Sequence, residues 1–198
     1  MKIDNYYKRI GDFTLTKVDR RILKSQEAIK KAVLELMTEK SFDRITIQDI
    51  ANRANVSRRT IYLHYTDKYD LLDQLVKVHM NELRSICESA VDLSLKEANL
   101  LWFEYFEKNY LFFSTMLASD GATFFRSQFL EFVVQEVKKH HISDGENQTL
   151  DQEVFIQFFG SASVGLVEWW IKNGIPLSPR DITQQLGGFL DKICTNTY

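Results

Sequence analysis

Thr46-Ile47-Gln48-Asp49-Ile50-Ala51-Asn52-Arg53-Ala54-Asn55-Val56-Ser57-Arg58-Arg59-Thr60-Ile61-Tyr62-Leu63-His64-Tyr65 carries two helix starts in twenty residues. Thr46 with Asp49 three positions later forms a capping box: the hydroxyl satisfies an orphan amide while the carboxylate reaches back. Ser57 repeats the N-cap signal. The helix between them must therefore be short, about 47–54, and the next should run about 58–65. Asn55 falls in the turn, where positive φ is often required and Asn tolerates it. Ile47 and Ile50 point inward, and Ala51 is small where the helices cross. Ala54 and Val56 flank the turn, and Ile61 anchors the second helix. Two short helices joined this tightly read as a helix-turn-helix.

What remains outward on the second helix is Arg58, Arg59, Thr60, Tyr62, Leu63 and His64. Arginine can bond guanine bidentately, and Thr or Leu can contact the thymine methyl. Tyr, His and Lys suit phosphate oxygens. A hairpin that merely packs, with Tyr62 and His64 on a solvated face, fits the same pattern.

The surroundings extend this reading. The chain has 198 residues, 44% of them hydrophobic, with 14 Phe and 8 Tyr. Its two prolines, Pro176 and Pro179, leave the first 175 residues without that helix breaker. Eight glycines are few for a sandwich built on tight turns. An all-α chain of about nine helices is expected, over about 19–39, 47–54, 58–65, 66–92, 94–109, 110–119, 121–140, 150–173 and 179–195. Ile29, Ala32, Val33, Leu36 and Met37 give the first its buried stripe. Ser178, Pro179 and Asp181 give the last its N-terminus. Three parts follow: an arm over 1–19, a helix-turn-helix domain over 20–68 and a helical domain over 69–198.

Charge divides the same way. Residues 1–68 hold 15 Lys and Arg against 9 Asp and Glu, whereas residues 69–198 hold 10 against 18. A basic head on an acidic body points to a polyanion at one end. Cys87 and Cys194 lack CxxC spacing and read as packed, reduced thiols. The start lacks an apolar leader, and no run approaches about 18 apolar residues. A soluble cytoplasmic protein, without membrane attachment, is the expectation.

Phe42, Thr46-Ile47-Gln48-Asp49-Ile50-Ala51, Ala54-Asn55-Val56-Ser57, Thr60-Ile61-Tyr62, His64-Tyr65, Lys68 and Leu71-Leu72 together closely resemble the N-terminal domain of the TetR/AcrR family of transcriptional regulators. The match covers roughly residues 21–72. It implies a three-helix DNA-binding domain joined to a helical effector-binding and dimerisation domain. It also implies base contacts from Arg58, Arg59 and Thr60 and phosphate contacts from Thr46, Tyr62, His64 and Lys68. Arg59 departs from the glycine many members carry. The arm, with Lys2, Lys8, Arg9 and Lys17, is longer than usual and serves equally well as a solvated tail. Gly165-Leu166-Val167-Glu168-Trp169-Trp170-Ile171 followed by Gly174-Ile175-Pro176-Leu177-Ser178-Pro179 resembles a subgroup that includes activator-like dihydroxyacetone-operon regulators.

No Gly-rich phosphate loop is present. His140 and His141, adjacent on a helix, diverge by about 100° and cannot chelate one metal together. No cofactor, metal or catalytic residue is expected, so an enzyme is disfavoured. Trp102, Phe103, Phe106, Tyr110, Phe113, Phe125 and Phe129 form the candidate effector pocket, with Phe124 and Phe132 nearby, although core packing explains helically spaced aromatics too. Two apolar stripes on the helix after residue 150 predict a homodimer. Its expected interface is Phe159, Gly160, Ser163, Val164, Val167, Leu186, Gly187 and Leu190. The expected function is a ligand-responsive regulator that binds a pseudo-palindromic operator in double-stranded DNA as a homodimer under a small-molecule effector, with the sign of regulation, repressor or activator, left open. The competing expectation is a DNA-binding co-activator whose effector is a partner protein.

Overall fold

The computed structural model describes residues 17–118, 122–141 and 150–195. Nine α-helices span them: α1 (Lys17–Glu39), α2 (Ile47–Ala54), α3 (Arg58–Tyr62), α4 (Lys68–Ser89), α5 (Leu95–Lys108), α6 (Tyr110–Ala118), α7 (Ala122–His141), α8 (Leu150–Lys172) and α9 (Pro179–Thr195). One turn of 3-10 helix, Phe42–Arg44, lies between the helices expected over 19–39 and 47–54. The arm expected over 1–19 lies outside the described residues, apart from the three that open α1.

The local code works as expected at the head. Thr46 Oγ1 accepts the Asp49 N–H at 3.1 Å, and Asp49 Oδ2 accepts the Thr46 N–H at 2.9 Å. Asn55 closes α2 in the left-handed region, at φ 53° and ψ 46°. Ser57 Oγ accepts the Thr60 N–H at 3.1 Å. Helix α3 is shorter than expected, ending at Tyr62 rather than 65. Helix α4 starts at Lys68 because Asp67 caps it, accepting the N–H groups of Tyr69 and Asp70 at 2.8 Å each. A boundary between residues 68 and 69 therefore falls inside α4, which serves both ends of the molecule.

The buried stripe of α1, Ile29, Ala32, Val33 and Leu36, meets Ile45, Ile50, Ala51, Ile61, Tyr65 and Leu71 to form the core of the head. Each Ile, Val or Leu among them, withdrawn from water, contributes about 1.5–3 kcal/mol. Behind the head, α6 packs on α1, α7 and α8; α4 packs on α5 and α7; α9 packs on α5. The α7–α8 contact is the most extensive between helices. A Cβ added to Gly160 would lie 2.7 Å from Val134 Cγ2.

Gly174 and Ile175 end α8 at φ 72° and 57°. Positive φ is unusual for a β-branched residue. Local hydrogen bonds at the helix end hold it: the Ile175 N–H bonds Trp170 O at 2.9 Å, and the Trp170 Nε1–H bonds Leu177 O at 2.9 Å. Ser178 then caps α9, accepting the Asp181 N–H at 3.2 Å.

Candidate functional site

Helix α3 is held from behind and bare in front. Ile61 is fully buried and fixes its back. On its front, Arg58 and Arg59 are exposed, Tyr62 is 50% exposed and Leu63 71%. The Arg58 guanidinium lies over the Tyr62 ring, 5.9 Å from its centroid, within range of a cation–π attraction. Thr60 is half-buried, its hydroxyl 2.9 Å from Ser57 Oγ. His64 is also half-buried. Its Nδ1 meets Gln26 Nε2 of α1 at 3.5 Å, and its ring stands edge-on to Tyr65.

Behind α3, charge fixes α2 to α1. Arg53 grips both carboxylate oxygens of Glu39 at 2.9 and 2.8 Å and approaches Glu35 at 3.5 Å. The Arg53 bond holds the Glu39 carboxyl below its ordinary range. Asp49 is held at about 2, first by the Thr46 backbone N–H and then by the Lys40 ammonium at 2.9 Å. Neither Gln26 nor Lys40 stood out in the sequence, because their partners lie on other helices.

Two expected phosphate contacts are engaged within the protein. The Thr46 hydroxyl donates to Asp49 Oδ2 at 2.9 Å. The Lys68 ammonium donates to the carbonyls of Phe42, Asp43 and Ile45 at 2.9, 2.8 and 3.0 Å. Those three bonds use all the protons an ammonium has.

In the body, Phe103, Phe106, Phe113, Phe125 and Phe129 are buried and pack ring on ring. Phe106 meets Phe113 at 4.8 Å and Phe129 at 5.9 Å, and Phe125 stacks on Phe129 at 6.1 Å. Trp102 is half-buried and stacked on Phe132. Tyr110 does not join them: it is 38% exposed at the start of α6. The Phe124 side chain lies outside the described residues. Sequence reading missed the polar pair inside this cluster. His79 Nδ1 lies 2.7 Å from the Tyr105 hydroxyl, and the imidazole stacks on Phe112 at 3.8 Å. Burial, reinforced by the charge of Lys30, lowers the His79 pKa to about 4. Burial raises that of Tyr105 and pushes the Cys87 thiol to about 11.

The expected interface needs correction on α8. Val164 and Val167 are buried within the chain, and Gly160 is buried against Val134 of α7. These residues form the inner face, with Ile156, Trp170 and Ile171. The outer face carries Val154, Phe155, Phe158 and Trp169, with Phe158 67% exposed. Phe159 and Ser163 are half-buried between the faces, and the Ser163 hydroxyl returns to Phe159 O at 2.8 Å. Across a groove of about 290 Å³, Trp169 and Leu166 meet Leu177, Ile182, Leu186 and Phe189. A Cβ on Gly187 or Gly188 would touch nothing within 4 Å. The Leu190 side chain lies outside the described residues. Residues Gln152–Lys172 have a mean hydropathy of 1.4, enough by length and composition to cross a membrane. In this fold, part of that apolarity faces the core.

Two sequence profiles match the chain. Bacterial regulatory proteins of the tetR family match residues 29–75, spanning the buried stripe of α1, all of α2 and α3, and the start of α4. The transcriptional regulator C-terminal region of the same family matches residues 94–192. The chain belongs to the TetR family. Individual relatives give the likeness its measure. This TetR-family chain is 38% identical to the uncharacterized HTH-type transcriptional regulator YxbF of Bacillus subtilis (strain 168) over 85 residues, 41% of this chain and 22% of that protein. It is 34% identical to the tetracycline repressor protein class G of Vibrio anguillarum over 93 residues, 46% of this chain and 41% of the repressor. The matches thus span less than half of either relative's length. Among solved structures, a TetR transcriptional regulator from Streptococcus agalactiae 2603V is 26% identical with a TM-score of 0.56. The likeness covers 84% of this TetR-family chain and 93% of that one. The dihydroxyacetone kinase operon activator DhaS superposes with a TM-score of 0.63 over 84% of this chain and 93% of its own. At 22% identity, that likeness concerns the fold alone.

Proposed function

We propose that this TetR-family chain is a ligand-responsive transcriptional regulator that binds a pseudo-palindromic operator as a homodimer. The observation that carries the reading is α3: capped by Ser57, anchored by Ile61, and presenting Arg58, Arg59, Tyr62 and Leu63 to solvent. Arg58 and Arg59 are the base readers, with Thr60 supporting the helix start and offering its methyl. Tyr62 and His64 position the backbone, with Thr46 at the head of α2 beside them.

The outer face of α8 supports the second copy. Phe155, Phe158, Trp169 and Phe189 are each more than two-fifths exposed, and an apolar helix surface needs a neighbour. Gly187 and Gly188 leave room for another backbone. The ring cluster around His79 and Tyr105 supports an effector site: it is apolar, with a neutral hydrogen-bonding pair inside it.

The test is selection of duplex DNA from a random pool by the purified full-length chain, with sedimentation of the complex. Two inverted half-sites about one helical turn apart, bound by two chains, are expected. Recovery of no enriched sequence would remove the reading. A complex that responds to a co-purifying protein, and to no small molecule, would replace the effector with a partner.

A further inference from the structure

Leu63 stands just past the end of α3 and is 71% exposed, the most exposed large apolar side chain among the described residues. Single apolar residues on a surface are ordinary, so its place matters more than its exposure. The Leu63 backbone keeps helical geometry, at φ −72° and ψ −20°, and its N–H bonds Arg59 O at 3.1 Å. Four residues apart on one helical path, Arg59 and Leu63 share a face. Ile61, fully buried, fixes the opposite face in the core of the head. Beside this row runs a second, in which Arg58 lies over the ring of Tyr62. Leu63 thus belongs to the basic front of the head, and not to the apolar faces of the body.

Its chemistry narrows what it can do there. Leucine has no donor for a phosphate oxygen, unlike its neighbours Tyr62 and His64. Against the major groove, an aliphatic side chain meets one apolar group, the thymine C5-methyl. Four residues of helix separate Leu63 from Arg59 by about 6 Å along the axis, at most about two base-pair steps. An arginine and a leucine aligned on one exposed row suit a guanine and a nearby thymine.

We propose that Leu63 is a specificity-determining residue: it reads the C5-methyl group of one thymine in each operator half-site. This inference rests on the reading of α3 as the DNA-reading helix, and adds an apolar reader to its polar ones.

The test uses the full-length chain and full-length Leu63→Ala with two duplexes: one selected by the wild type, and a scrambled duplex of equal length. Deoxyuridine replaces each thymine of the selected half-sites in turn, symmetrically in both. This removes a methyl group and leaves every hydrogen-bonding group in place. For the wild type, one such position should weaken binding about fifteenfold, or about fourfold for each methyl group lost. Leu63→Ala should weaken binding to the selected duplex by a similar factor or more, and leave the scrambled duplex bound as before. At the sensitive position, deoxyuridine should then cost the variant nothing further. Sensitivity at any other thymine, such as one met by the methyl of Thr60, should persist. The circular dichroism spectrum should stay intact, since the side chain is exposed. Losses that simply multiply at every thymine would overturn the proposal, as would selected half-sites without a methyl-sensitive thymine in the wild type. Equal losses of the variant on both duplexes would make Leu63 a backbone contact, and unchanged affinity would return it to solvent. If the wild type selects no duplex, the DNA-reading assignment itself fails, a result distinct from any variant's behaviour.

Discussion

Gly160 of α8 and Val134 of α7 are matched so closely that the hydrogen on one is the only side chain the other permits. A Cβ at residue 160 would lie 2.7 Å from Val134 Cγ2 and 3.6 Å from Val134 Cα. Valine is stiff at χ1 and cannot swing aside cheaply. Gly160→Ala should therefore destabilise the chain by about 1–3 kcal/mol despite the better helix propensity of alanine. Val134→Ala in the same chain should recover part of that loss. Urea unfolding of the four variants of this cycle measures the coupling, and strict additivity would refute the contact.

The two faces of α8 give opposite expectations for the same type of substitution. Val164→Arg places a charge in the protein interior and should cost about 3 kcal/mol or more, leaving an unfolded or molten chain. Phe158→Arg alters a side chain that is 67% exposed and should leave the circular dichroism spectrum intact. It should also yield a monomer in sedimentation that binds the selected duplex weakly. A dimeric Phe158→Arg protein would move the interface away from this face.

Acid should act on His79 before it acts on the carboxylates. Its pKa is about 4 in the folded chain against about 6.5 unfolded. Between these values the unfolded chain binds a proton that the folded chain refuses, so stability falls as pH falls. The contribution is complete above about pH 6.5 and declines towards pH 4, by about 3 kcal/mol in all. His79→Gln should flatten this window in chemical denaturation at stepped pH. Asp49, held at about 2, loses its contribution in a lower window, as pH falls below its ordinary value.

Arg58 should read a base. Arg58→Ala should cost about 1–3 kcal/mol on the selected duplex and relax preference at one position in each half-site. Repeating the selection with the variant reads both effects. Equal losses on selected and scrambled DNA would assign Arg58 to phosphate instead.

The cysteine at the back of α4 should be inert. Its thiol is half-buried and shifted to about 11 by burial, so little thiolate exists at neutral pH. In a Cys194→Ser background, Cys87 should react with a disulfide reagent at pH 8 far more slowly in the folded chain than in urea. Comparable rates would place it at the surface.

These cases mark where the sequence suffices. Caps at Thr46, Ser57 and Ser178 were legible because each bond joins groups within four residues. The left-handed Asn55 was legible for the same reason. The inward stripe of α1 followed from period alone. The three bonds of Lys68 were not legible, since their acceptors are backbone carbonyls that any residue types would supply. Nor was the end of α3, where the backbone turns after Tyr62 without a proline or glycine to signal it. On α8, both stripes are apolar, so period could establish two faces without saying which faces in. That choice depends on Gly160 meeting Val134. The His79–Tyr105 pair needed α4 and α5 side by side, and a histidine in an apolar row carries no mark of its partner.

Phe158 and Trp169 leave much of their surface in water while one chain stands alone. Covering that surface with an identical chain makes the folded population obey mass action. The midpoint of unfolding should then rise with protein concentration. In a cell, a newly made chain at low copy number would be the form most open to proteolysis, and the level of the regulator would help to set its own lifetime.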